Sequence, residues 1–452
     1  MQASVKGAMS VTLVGASAPA EVSADVCRPG NGHLGTDNTP HGDGFDYASF
    51  FETLTVDEKS SLNFMVQPRG GGGPITKSDR LMKRIVLRTP DGLRYVYEKN
   101  FGAGTFGEVV KLRLVDAFGG AVYTSRVPRA IALKLYSGNP FDTGNTNLKT
   151  WLDELRVVNS MNNQDAGRLS RFLGAPGKCG DRVPARVITH NRVSAVIMRA
   201  ANDGVNKIPA IEDEHAAFGL LQAMYLELRC VYRRYGFLHC DVKTENFLYA
   251  CEEGTLRVML ADYGGCQIEQ QREVRTGGTA VGTYMPPWLI VTPSKARAQA
   301  ATTGGGAAPE SAPESDIIEP YATVSNVLSQ FAAVLLHLMR VQTPYGSDET
   351  LVWTSTEAHA IDMLDAIMRD DCSPTLSAPA KEFLAYCLRY DVAGRRFLEH
   401  TRAGERNNLN WDEPLTWAGF ESALEKCLPP PSRRARAWAA LTATVKSLIG
   451  LA

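Results

Sequence analysis

The sequence predicts an α+β protein in two parts, a small antiparallel sheet region followed by a larger, mostly helical region. Three observations predict it. Short β-branched and apolar runs cluster between residues 84 and 199. One strongly amphipathic helical stretch interrupts them. From Asp213 onward the pattern changes to long segments with apolar residues at three- and four-residue steps.

In chain order, residues 1 to 45 are rich in Gly, Ala, Ser and Asp without periodicity, and read as loosely attached. Residues 46–65 read as one or two short helices, and Gly70 to Gly73 form a flexible linker. Strands are expected over residues 84–88, 95–99, 109–115 and 130–136, then a polar loop over 139–147. A helix over residues 148–159 would put Trp151, Leu155 and Val158 on one face. Two more strands follow over 185–189 and 193–199. Helices are expected over 215–235, 324–340, 356–369 and 379–390, the second apolar nearly all round and therefore buried. The resulting division is an N-terminal extension (1–80), a sheet part (81–200), a helical part (201–428) and a tail (429–452). A low-complexity stretch over 292–316 reads as a surface insertion, because helical core resumes after it. The tail carries basic residues and can form an amphipathic helix, read as packed on the body rather than on a membrane.

Composition excludes some classes. The formal net charge of the 452 residues is -1, so nothing global argues for a nucleic-acid partner or an acidic membrane. No run approaches the roughly 18 apolar residues of a membrane span. The nine cysteines form no CxxC pair, which argues against zinc and suits thiols. A disulfide joining Cys427 to Cys372 or Cys387 stays open. The N-terminal apolar run is too short for a good signal peptide, so the protein is either cytosolic or begins after a cleaved leader.

The richest motif is LHCDVKTENF, Leu238 to Phe247. It sets a carboxylate (Asp241), an ammonium (Lys243) and a carboxamide (Asn246) in one short loop. Phosphoryl transfer to a hydroxyl needs that set: a base to orient the acceptor, a cation to neutralise the moving group, and an oxygen ligand for Mg2+.

Upstream, FGAGTFGEV holds Gly102, Gly104 and Gly107 in the spacing GxGxxG. The same spacing opens dinucleotide folds, where a helix must follow. Here Val109 and Val110 continue as a strand, which favours a hairpin over ATP phosphates, with a plain glycine turn as the bland alternative. IALK ends a strand on Lys134, and a strand lysine out of water needs a partner. Glu154, twenty residues on in TWLDEL, has the right helical phase, whereas Asp153 does not. Otherwise both are solvated surface residues. VMLADYG places Asp262 just past an apolar strand, where with Asn246 it suits a hard divalent cation. Otherwise Asp262 is an ordinary turn carboxylate, and Tyr263 packs.

On these residues, over 84–428, the chain resembles the eukaryotic protein-kinase superfamily, serine/threonine type. The resemblance implies a bilobal protein-kinase-like fold with a small antiparallel β-sheet N-lobe, one main N-lobe helix and a larger, mostly helical C-lobe. It implies ATP and Mg2+, with Val109 and Met198 added to the nucleotide-binding set. Catalytic roles fall to Asp241, Lys243, Lys134 and Glu154, metal roles to Asn246 and Asp262. The partner is a protein with a Ser or Thr acceptor, and the enzyme is expected to be a monomer. Thr283 in GTYMPPW would pack on Asp241 and Lys243. The runs IMRAAND, DVKTENFL and CLRYDVAGRR resemble the rhoptry kinases of apicomplexan parasites, which implies a secreted effector.

Departures touch supporting positions. Cys240 stands where an Arg usually pairs a phosphorylated activation loop, which implies activity that does not depend strongly on phosphorylation of that loop, at Thr276, Thr279 or Thr283. Trp288 replaces a glutamate, leaving Arg395 without its expected buried partner. Asn326 takes the place of an aspartate that braces the catalytic loop. These changes keep a second class open: a pseudokinase that binds partners without turnover.

Overall fold

The computed structural model describes residues 45–56, 86–103, 107–122, 127–136, 146–171, 185–190, 193–252, 255–268, 323–347, 357–397, 415–430 and 440–445. The expected sites at Gly104, Thr276, Thr279, Thr283 and Trp288, the insertion over 292–316 and most of the tail lie outside the described residues. The chain is α+β and divides into two compact units. One holds the described residues up to Asp203 together with Asp262–Gly264; the other holds Gly204–Ala261 and the described residues from Gly265 on.

The first unit is a curled antiparallel sheet. Its strands are β1 (Thr55–Val56), β2 (Val86–Arg88), β3 (Arg94–Ala103), β4 (Gly107–Val115), β5 (Ala130–Tyr136), β6 (Ala185–His190) and β7 (Val193–Arg199). Their order is β1-β2-β3-β4-β5-β7-β6. Alternation along β4 and β5 splits the sheet into two faces. Leu112, Leu114, Ile131 and Leu133 lie on one face and are buried with Leu87 and Tyr95. Helix α1 (Tyr47–Thr53) covers that face, contributing Tyr47, Phe50 and Phe51 to the same core. Asp46 caps it, accepting the Ser49 N–H at 2.9 Å.

Two expectations change here. One or two short helices are expected over residues 46–65: one is present, Tyr47–Thr53, after which the chain turns into β1, the edge strand paired with β2, and residues 57–65 lie outside the described residues. Residues 47–56 therefore pack as part of the sheet body. Apolar Phe50, Phe51 and Leu54 recur at steps that suit a helix, and the β-branched pair Thr55 and Val56 then suits a strand. Helix α2 (Thr146–Arg171) also runs 26 residues, well past the expected end at Asn159. Its second half reads as a poor helix former. Met161 is fully buried, however, and the Asn162 amide donates to the Ala185 C=O at 3.1 Å, so contact with β6 overrides propensity.

The second unit opens with β8 (Asp203–Gly204) at the junction, then α3 (Glu214–Tyr235). Asp213 caps α3 by accepting the His215 N–H, and Gly236 closes it in the left-handed region at φ 74°. β9 (Phe237–His239) pairs with β12 (Cys266–Ile268), and β10 (Phe247–Glu252) pairs with β11 (Thr255–Leu260), all antiparallel. Helices α4 (Val324–Met339), α5 (Glu357–Met368), α6 (Ala378–Leu388) and α7 (Trp417–Cys427) complete it. α4 is buried almost all round, and its Phe331 meets Phe420 of α7 at 5.3 Å between ring centroids. Phe420 also stacks on Tyr225 of α3 at 4.9 Å and meets Phe383 of α6 at 5.4 Å, so one ring ties four helices together.

Cys230, Cys240, Cys266, Cys372, Cys387 and Cys427 are all thiols, so no disulfide joins Cys427 to Cys372 or Cys387. Arg395 is 61% exposed, and its Nε sits 3.7 Å from Asp365 Oδ2. No described helix is long and apolar enough to cross a membrane.

Candidate active site

In the first unit the site is built on the sheet face opposite α1. Val109 lies directly across from Lys134, and Met198 across from Ala132, two residues before Lys134. Cross-strand partners share a face, so Val109, Lys134 and Met198 line one surface. Gly102 sits on β3 opposite Val109, and Gly107 opens β4. A Cβ on Gly107 would lie 2.3 Å from the Leu135 C=O oxygen, so only glycine lets β4 approach β5 there.

Lys134 is 7% exposed and Glu154, on α2, is 2% exposed. The ammonium donates to both Glu154 oxygens, at 3.0 and 2.8 Å, and to Asp262 Oδ1 at 2.9 Å. Trp151 of α2 stacks on Tyr136, two residues after Lys134, which fixes the helix against this strand. Asp153 is turned away and pairs with Arg156 on the surface. Burial alone would lower the Lys134 pKa, but the carboxylates of Asp262 and Glu154 more than offset it and hold the ammonium charged. Burial pushes the Glu154 carboxyl up to about 7, with Lys134 opposing part of that rise. With Lys134 held charged, the pair is ionised above neutrality and Glu154 is the member that takes a proton first.

Asp262 has φ 59°, a left-handed conformation that Asp tolerates better than most residues. A Cβ on Gly264 would sit 3.3 Å from Asp262 Oδ1 and 3.7 Å from Glu154 Cβ. Glycine there leaves room for the two carboxylates beside one ammonium.

In the second unit the loop after β9 folds back on itself. Asn246 ends a single 3-10 turn, Thr244–Asn246. Its amide nitrogen donates to the Asp241 C=O at 2.7 Å and to Asp241 Oδ2 at 2.9 Å. Lys243 Nζ lies 2.7 Å from the same Oδ2. Asp241, Lys243 and Asn246 are thus one hydrogen-bonded group in which Asn246 donates through its amide nitrogen, while its amide oxygen is an acceptor by nature. His239, fully buried, meets the Ala261 C=O through Nε2 at 3.1 Å. The Ala261 N–H in turn donates to the Asn246 C=O at 2.8 Å, one residue before Asp262.

A second amide of α4, Gln330, braces this loop, one the sequence reading did not single out. Gln330 Oε1 accepts the Val242 N–H at 2.6 Å, and its Nε2 donates to the Cys240 C=O at 3.1 Å. Asn326, one helical turn earlier on α4, is buried; its N–H donates to Thr323 and its C=O accepts from Ser329. Sequence reasoning also missed Gly265. A Cβ there would meet Asp241 Cβ at 3.0 Å, so the second glycine of DYGG lets β12 pass behind Asp241. The doubled glycine is the one signal that could have found it. Cys240 is 2% exposed, and burial, then Asp241, pushes its thiol well above the usual range.

The structure therefore brings the expected residues together in two groups, Lys134–Glu154–Asp262 in one unit and Asp241–Lys243–Asn246 in the other. Each group carries oxygen donors, carboxylate or amide, of the hard kind that Mg2+ takes. Among the described residues there is no group of three or more His, Cys, Asp or Glu arranged for a metal ion. No family model matches this chain, and no curated protein matches it.

Proposed function

We propose that this protein is an ATP-dependent protein serine/threonine kinase with the bilobal kinase architecture. The observation that carries the reading is the buried Lys134–Glu154 pair with Asp262 on the same ammonium. Burying an ion pair gains a fold little and often costs it, so its presence on the face lined by Val109 and Met198 argues for a task. An ammonium held charged and aimed by a two-oxygen grip is suited to phosphate oxygens. The second group supplies what transfer to a hydroxyl requires. Asp241 orients the acceptor and takes its proton, while Lys243 neutralises charge on the transferred group. Asn246 and Asp262 would hold Mg2+, which screens the phosphate charges when bound. The glycine hairpin, whose Gly102 and Gly107 bear no side chain, covers the phosphates.

Support for the finer assignment to a rhoptry-kinase-like secreted effector is the set of short runs IMRAAND, DVKTENFL and CLRYDVAGRR. The testing experiment is transfer of labelled phosphate from ATP with Mg2+ to a generic basic protein. Wild type should transfer, and Asp241→Ala and Lys134→Met should each lose about 100-fold or more in kcat with the fold retained. Transfer that survives in Asp241→Ala overturns the reading. ATP with Mg2+ raising the Tm without any transfer by wild type would identify the pseudokinase class instead.

A further inference from the structure

We propose that the β4–β5 turn is a docking tip for an anionic lipid bilayer. Phe118 is 98% exposed at its apex, flanked by the exposed Ala117, Gly119, Gly120 and Ala121. The turn is not a loose excursion. Asp116 Oδ1 accepts the N–H groups of Phe118 and Gly120, both at 2.8 Å, and the Asp116 C=O accepts that of Gly119 at 3.2 Å. Arg94 Nη2 clamps it from β3, donating to the C=O of Asp116 at 2.9 Å and of Ala117 at 2.7 Å. Gly119 takes φ +86°, which glycine adopts without strain. The tip thus presents one ring on a preformed scaffold in which the Phe118, Gly119 and Gly120 N–H groups and the Asp116, Ala117 and Gly120 C=O groups are already hydrogen-bonded. That lowers the cost of moving the backbone out of water, the main obstacle to inserting a turn into a membrane interface.

Charge selects the surface. Arg88 and Arg94 face each other across β2 and β3, Arg94 lies opposite Val115, and Arg113 lies opposite Ala130, next to Arg129. Four arginines therefore sit at this end of the sheet against Asp91 and Asp116. Four arginines against two aspartates leave an excess of two positive charges among these six side chains. Such an excess attracts anionic headgroups while the aromatic enters the interface. A protein partner fits less well. A stable protein interface needs about 800 Å² per partner, whereas one aromatic ring among alanines and glycines offers about 200 Å². A bilayer requires only a wedge and a cationic rim. This inference is independent of the proposed catalysis.

The test is flotation of the full-length protein with phosphatidylcholine vesicles and with vesicles in which about a third of the lipid is phosphatidylserine. Wild type should bind only the phosphatidylserine vesicles and release at high salt. Phe118→Ser should lower partitioning about tenfold, with an unchanged Tm because the ring touches nothing. Phe118→Trp should retain binding and shift its emission to the blue on vesicles. Absence of binding to phosphatidylserine vesicles overturns the proposal, as does Phe118→Ser binding like wild type. Binding that survives Phe118→Ser but is lost when Arg433, Arg434 and Arg436 become alanine belongs to the C-terminal tail and equally overturns it.

Discussion

The side-chain oxygen of Gln330, on α4, accepts the backbone N–H of Val242 at 2.6 Å, while its nitrogen donates to the C=O of Cys240 at 3.1 Å. One buried amide thus holds the peptide on both sides of Asp241. In Gln330→Leu a buried donor and a buried acceptor lose their partner, at about 1–3 kcal/mol each. Under the proposed function kcat should fall about tenfold or more with little change in the KM for ATP, because the loop that carries Asp241 loosens while the Lys134 group is untouched. Steady-state kinetics check it. A fall in Tm with kcat preserved would mean that the amide only stabilises.

The Glu154 carboxyl gives the folded protein a pH signature. Burial holds it near 7 when folded, against 4.5 for an ordinary glutamate. Between those values the folded chain binds a proton that the unfolded chain has released. Its contribution is therefore complete below the lower value and disappears as pH rises through the upper one. Denaturant unfolding at pH 5 and pH 8 should show wild type losing stability relative to Glu154→Gln over that interval. A difference between the two proteins that stays constant with pH contradicts the burial argument.

Gly265→Ala is expected to displace Asp241 without replacing any residue of the proposed site. The added methyl meets Asp241 Cβ at 3.0 Å and its N at 3.3 Å, so the loop must move. Overpacking of this kind costs about 1–3 kcal/mol, and phosphotransfer should fall together with stability. Differential scanning calorimetry and the transfer assay on the same sample check both. Wild-type values in each would mean that the neighbouring backbone gives way freely.

The thiols should sort by burial. Cys230 is exposed, whereas Cys240 and Cys387 are buried and burial raises both thiols well above the ordinary range. The Cys427 thiol is pushed up to about 12. Only the thiolate attacks an alkylating agent. Iodoacetamide on the native protein, followed by peptide mass mapping, should label Cys230 first and leave Cys240, Cys387 and Cys427 unmodified until denaturant is added. Rapid native labelling of Cys240 would mean that the loop opens.

Much of the candidate site is legible in the sequence because its spacing is local. Asp241, Lys243 and Asn246 lie within six residues, and a tight loop has few ways to arrange them. Glu154 follows from helical phase, since one face of TWLDEL must meet the sheet that carries Lys134. Strand limits at 130–136 and 193–199 agree with the apolar runs, because a β-branched run states its own period. Gln330 is not legible: among the polar residues in the first turns of α4, Ser325, Asn326, Ser329 and Gln330, nothing in the sequence marks which one lies opposite Val242 and Cys240. The long α2 is hidden for a similar reason, as its later turns are held by Asn162 reaching β6 and not by helix-forming residues.

By itself the sequence determined the α+β class, the order of sheet and helical parts, and the two sets of polar residues, because periodicity and short spacing act within a few residues. Only the tertiary structure decided that α1 and β1 join the sheet, that Asp262 shares the ammonium of Lys134, and that Gln330 braces the loop on both sides of Asp241. Those contacts join residues up to 128 positions apart, as Lys134 and Asp262 are. Which of them meet depends on strand register and helix rotation, which many distant side chains set together.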